Sequence, residues 1–175
     1  MRHEAAHLIQ WNVGLLAPAQ MPAWLAEGLA MCFERPFTPD GEPLDQGAGS
    51  RLTELSAQLE AGRLDAGRVA QWLADEQAWC GAPCYPAAWA VTRYLDVHQP
   101  GALGTLLRRL ASGDALPSDP QARAAELADL FGPLDALAAA AIEDAVRLGS
   151  DAALPSPATP AERRRGPVQR GIHRE

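Results

Sequence analysis

His3-Glu4-Ala5-Ala6-His7 sets two imidazoles four residues apart with a carboxylate beside the first, and Glu27 stands twenty positions after His7. Residues four apart on a helix share a face, so His3 and His7 project side by side and can reach one ion. Glu4 lies about 100° round the helix from His3, beside that ion rather than bound to it. The HExxH pattern is a zinc-binding signature, and two His with one Glu hold zinc while leaving its fourth position open, the arrangement of catalytic rather than structural sites. Glu27 is the expected third ligand, delivered by a second helix packed across the first. Glu4 is left to act as general base on a water. The competing reading of HEAAH alone is a solvent-exposed helical turn without metal. A Glu at this distance, inside the apolar segment Pro22-Ala23-Trp24-Leu25-Ala26-Glu27-Gly28-Leu29-Ala30, speaks against it.

The elements that must position these residues read as helices throughout. Ala and Leu dominate the 47% hydrophobic fraction and aromatics make up 6%, a balance that favours helix over strand. The first helix is expected over 1–13, stopped by Gly14, and a second over 22–34, with Pro22 in its first turn. Residues 36–49, rich in Pro, Gly and Asp, read as a loop. A third helix over about 50–61 puts Leu52, Leu55 and Leu59 on one face and stops at Gly62. Asp65 caps a fourth, with Val69, Trp72 and Leu73 as its apolar stripe. After Gly81-Ala82-Pro83 a fifth runs over 85–98, followed by 101–112, 119–131 and 133–148, the last ending at Gly149. The expected organisation is an all-α domain over 1–149 and a disordered Pro- and Arg-rich tail over 150–175.

The formal net charge of −7 argues against nucleic acid as a partner. Every basic residue is Arg, and five of them lie in 161–175 against Glu162 and Glu175, so that this stretch is +3 and the remainder −10. The Arg163-Arg164-Arg165 run reads as solvated tail, with contact to an anionic surface as the alternative. Three cysteines are too few for a disulfide scaffold. Cys80 and Cys84 are close enough in sequence to pair or to join a metal site, but buried or incidental thiols are the favoured reading for all three, Cys32 included. No stretch approaches the roughly 18–20 apolar residues of a membrane span.

The HExxH pair followed by Pro22-Ala23-Trp24-Leu25-Ala26-Glu27-Gly28-Leu29-Ala30 resembles the gluzincin zinc metallopeptidases, and within them the bacterial peptidase MA-like proteins. There a P-x-W-L-x-E-G-x-A segment follows the histidines and a helix opening with Tyr comes later, here Cys84-Tyr85-Pro86-Ala87-Ala88-Trp89. The Phe131-Gly132-Pro133-Leu134-Asp135-Ala136-Leu137 segment also resembles the end of such domains, so the likeness spans about residues 2–148. It implies one catalytic zinc on His3, His7 and Glu27, Glu4 as base, and hydrolysis of peptide bonds in a peptide or protein substrate. It matches Tyr85 to the tyrosine that donates a hydrogen bond to the developing oxyanion, where the bland reading is a core aromatic at a helix start. His98 is a fallback electrophile, though its place before Gln99-Pro100-Gly101 suits a helix C-terminal cation better. Trp24 reads as packing. Gluzincins place a β-sheet before the HExxH helix, for which two residues leave no room. The expectation is therefore the helical half of such a domain, from a late start or a true fragment, with a missing β-domain as the implied partner. An exported or envelope location is implied by the resemblance alone. The competing function is a non-catalytic helical module that binds a partner and keeps a vestigial zinc site.

Overall fold

The computed structural model describes residues 2–13, 21–34 and 48–153. All regular structure among them is helical, as expected: α1 (Arg2–Asn12), α2 (Ala23–Phe33), α3 (Ala48–Glu60), α4 (Ala66–Ala74), 3₁₀ turns at Glu76–Ala78 and Ala82–Cys84, α5 (Tyr85–His98), α6 (Pro100–Ala111), α7 (Pro120–Phe131) and α8 (Leu134–Ala153). The Gly14 stop, the loop up to residue 47 and the tail beyond Ala153 lie outside the described residues. No helix among those described is long and apolar enough to cross a membrane.

Two helices too apolar to lie on a surface form the centre. Trp24, Leu25, Ala26, Gly28, Ala30 and Met31 of α2 are buried, as is every residue of α5 from Pro86 to Thr92. A helix apolar on most sides needs neighbours on most sides. α2 packs against α5, α5 also against α8, and α8 closes over α3 and α4. Fully buried Leu25, Leu55, Leu73, Leu95, Leu106 and Leu110 fill the space between them, each burial stabilising by about 1.5–3 kcal/mol. Trp24 is 2% exposed, in the packing role expected of it. α1 rests on α2 through buried Ala6 and Gln10, and turns Leu8, Ile9, Trp11 and Val13 to the outside.

The expected caps and stripes recur at the expected residues. Asp65 accepts from the Arg68 amide at the start of α4, and Val69, Trp72 and Leu73 face the core. Two expectations need correction. α8 does not end at Gly149 but continues through Ala153, so 150–153 are helical rather than tail. A helical Gly costs about 1 kcal/mol relative to Ala, and here Gly149 packs on α3, with Leu52 3.6 Å from where its Cβ would stand. Cys80 and Cys84 are not incidental thiols: they form a disulfide. Gly81, at φ +70, turns the chain into the 3₁₀ turn Ala82–Cys84 and brings the two Cα atoms to 5.6 Å, within disulfide range. Cys32 is half-buried against the core.

Candidate metal centre

His3 and His7 occupy successive turns of α1, their rings edge to face with centroids 4.6 Å apart. Their Nε2 atoms lie 3.0 Å from each other. Glu27 of α2 brings Oε2 to 3.1 Å from His3 Nε2 and 3.5 Å from His7 Nε2. Among the described residues these three form the group able to hold a metal ion, and each is partly buried. Ligand atoms 2.0–2.2 Å from a tetrahedral zinc stand roughly 3.3–3.6 Å apart, so the observed triangle needs adjustments of about 0.3 Å to accept one.

Each ring's Nδ1 has an acceptor of its own. Gln10 is 2% exposed and its Nε2 donates to the Ala26 carbonyl at 3.1 Å. A carbonyl only accepts, so the amide orientation is determined, and Gln10 Oε1 faces His7 Nδ1 at 3.2 Å. Nδ1 of His7 therefore carries a hydrogen, and its Nε2 faces the cluster. His3 Nδ1 lies 2.9 Å from Glu34 Oε1, and a carboxylate likewise accepts. Two imidazole nitrogens and a carboxylate oxygen then converge on one point, a donor set able to hold a metal ion.

The backbone around Glu27 is built for close approach. A Cβ at Gly28 would meet Thr92 Oγ1 at 2.1 Å and the Ala88 carbonyl at 2.6 Å, so only glycine lets α2 lie this near α5. At the start of α2 the Ala23 amide, which has no partner within its own helix, donates to Glu76 Oε1 at 3.0 Å. Tyr85, the first residue of α5, stacks beside His3 at 6.2 Å between centroids and beside Trp79 at 6.1 Å. Burial, then the charge of Glu27 and a hydrogen bond to it, then the charge of Glu4, hold the Tyr85 phenol above its usual pKa. Glu4 is exposed and stands outside the ligand triangle.

Of the five residues singled out as the site, His3, His7, Glu27 and Tyr85 are thus drawn to one place by α1, α2 and α5, and the charge of Glu4 reaches Tyr85. His98 is not. It ends α5, about 20 Å along the helix from Tyr85, where its ring lies tilted against Tyr94 and faces Asp144 at 3.4 Å. Gln10 and Glu34 were not anticipated, although their spacing is legible: Gln10 follows His7 by three residues, and Glu34 follows Glu27 by seven, two turns along one face. Arg51, which pairs with Glu34 from α3, carries no such signal, because 35–47 separates it from α2.

An all-α domain with a two-histidine, one-carboxylate cluster is the class that fold and site define. A family model described as "Protein of unknown function (DUF1570)" matches residues 1–116, and the chain belongs to that family. The matched span holds α1 to α6 and every residue of the cluster. No curated protein and no solved structure matches the chain.

Proposed function

We propose that this protein is a zinc-dependent peptidase of the gluzincin type, with His3, His7 and Glu27 as ligands, Glu4 as general base and Tyr85 as oxyanion donor. The observation that carries the reading is the convergence of His3 Nε2, His7 Nε2 and Glu27 Oε2 on one point, with each imidazole held from behind through its Nδ1. The motif resemblance to the peptidase MA-like proteins supports the reaction class. Zinc at such a site supplies a Lewis acid and lowers the pKa of a coordinated water toward about 7.

The chain's own residues then divide the work. Glu4 takes a proton from the water as its oxygen attacks the peptide carbonyl carbon. Tyr85 donates its hydroxyl hydrogen to the carbonyl oxygen as that atom gains charge. The phenol is protonated at neutral pH, as a donor requires. When the carbon–nitrogen bond breaks, Glu4 returns the proton to the leaving amine, so a carboxylic acid and an amine are produced and the base is restored. The Cys80–Cys84 disulfide suits an oxidising compartment, in keeping with the exported or envelope location that the resemblance implies.

The reading is tested by incubating the zinc-loaded chain with a mixed peptide library and following cleavage by mass spectrometry. Glu4→Gln should retain one zinc per chain and lose about 10²–10⁴-fold in turnover. Activity that survives the substitution would remove Glu4 from its role. A wild-type chain that binds zinc and cleaves nothing would favour the non-catalytic module.

A further inference from the structure

We propose that Glu34, held by Arg51, is a positioning residue for the metal ligand His3, so that the affinity of the site depends on a carboxylate–guanidinium pair that touches no metal. This rests on the zinc reading above. His3 lies in the first turn of α1, where backbone amides lack intrahelical partners and a helix frays most readily. It is thus the ligand most in need of an external clamp. His7, one turn further in, is oriented by neutral Gln10 from its own helix. His3 is oriented instead by an anion from another element: Glu34, the residue that closes α2.

Both oxygens of Glu34 are engaged. Oε1 accepts from His3 Nδ1–H at 2.9 Å, and Oε2 accepts from the Arg51 guanidinium. Arg51 in turn is itself held: its side chain is 9% exposed, and its guanidinium lies 6.0 Å from the Trp89 ring centroid. α3 and α5 therefore fix Arg51, Arg51 fixes Glu34, and Glu34 fixes the plane and tautomer of the His3 ring. An anionic acceptor behind a ligating imidazole also strengthens it as a donor, and loss of such a partner typically weakens metal binding 10–100-fold.

Zinc dissociation constants of the full chain, measured by competition with a chromophoric chelator, distinguish this role from a mere ion pair between α2 and α3. Glu34→Gln keeps the shape and an oxygen that accepts from Nδ1–H but removes the charge, and should weaken zinc binding about 5-fold. Glu34→Ala should weaken it about 10–100-fold, and the visible spectrum of the Co²⁺-substituted protein should shift in both. A purely structural pair would lower the metal-free melting temperature while leaving the dissociation constant of the folded protein and the Co²⁺ spectrum unchanged, and that result would overturn the proposal. Should Glu34→Ala fail to fold, Glu34→Gln decides alone: wild-type affinity in it counts against the role. Wild-type protein that binds no zinc would sink the metal reading itself and this inference with it, whereas tight wild-type binding with unaltered variants would sink only the inference.

Discussion

Tyr85 shows how much the environment of one residue decides. Its ring is held between His3 and Trp79, and burial and the carboxylates of Glu27 and Glu4 raise the pKa of its hydroxyl. A phenol serving only as packing would tolerate loss of its oxygen. Tyr85→Phe should keep zinc and fold while kcat falls about 10²–10³-fold, the usual loss for one oxyanion donor. Steady-state kinetics beside metal analysis would check this, and an unchanged kcat would return Tyr85 to the core. At this scale the clustering of His3, His7 and Glu27 was legible because residues four apart share a helix face. The orienting residues were less so. Gln10 and Glu34 are recognisable only once each ring's second nitrogen must be given a partner, and Arg51 only once α3 is seen to pack beside the end of α2.

Among the elements, α2 is the critical one, because it carries Glu27 and must lie close to both α1 and α5. Gln10 ties it to α1 through the Ala26 carbonyl. Gly28 lets it approach α5, where a methyl group would overlap Thr92 and the Ala88 carbonyl. Gly28→Ala should therefore force the two helices apart, lowering stability by about 1–3 kcal/mol and weakening zinc binding, since Glu27 is the adjacent residue. Thermal denaturation with and without zinc would show both effects. A Gly28→Ala protein with wild-type melting and affinity would mean that the α2–α5 spacing does not set the position of Glu27. The glycine itself reads from the sequence only as a poor helix former; its purpose appears when α5 is placed opposite it. The disulfide at Cys80 and Cys84 is likewise a product of local geometry, since four-residue spacing permits pairing and the turn at Gly81 brings it about.

For the whole molecule, Ala- and Leu-rich periodicity was enough to find the helices, and caps such as Asp65 marked where they begin. Ends were harder to read than starts. Gly149 resembles a stop but is carried through the helix by packing on α3, a contact between residues nearly one hundred positions apart. Tertiary order was not legible at all, since α5 meets α2 and α8 through apolar faces that any partner of similar shape could fill. One further anchor of that order is Asp144 of α8, which binds Arg93 of α5, Arg147 and His98. Burial works to raise its pKa, but the hydrogen bond from Arg147, the Arg93 cation and His98 outweigh it and hold the carboxyl below its usual value. The central claim is that this arrangement brings three side chains from α1 and α2 to one metal-binding point. Calorimetric titration of the metal-free chain with zinc tests it most directly. One ion should bind per chain in the wild type, and His7→Ala should weaken that binding at least 100-fold while retaining the helical circular dichroism. Wild-type protein that takes up no zinc, or a His7→Ala protein that binds it equally well, would contradict the claim.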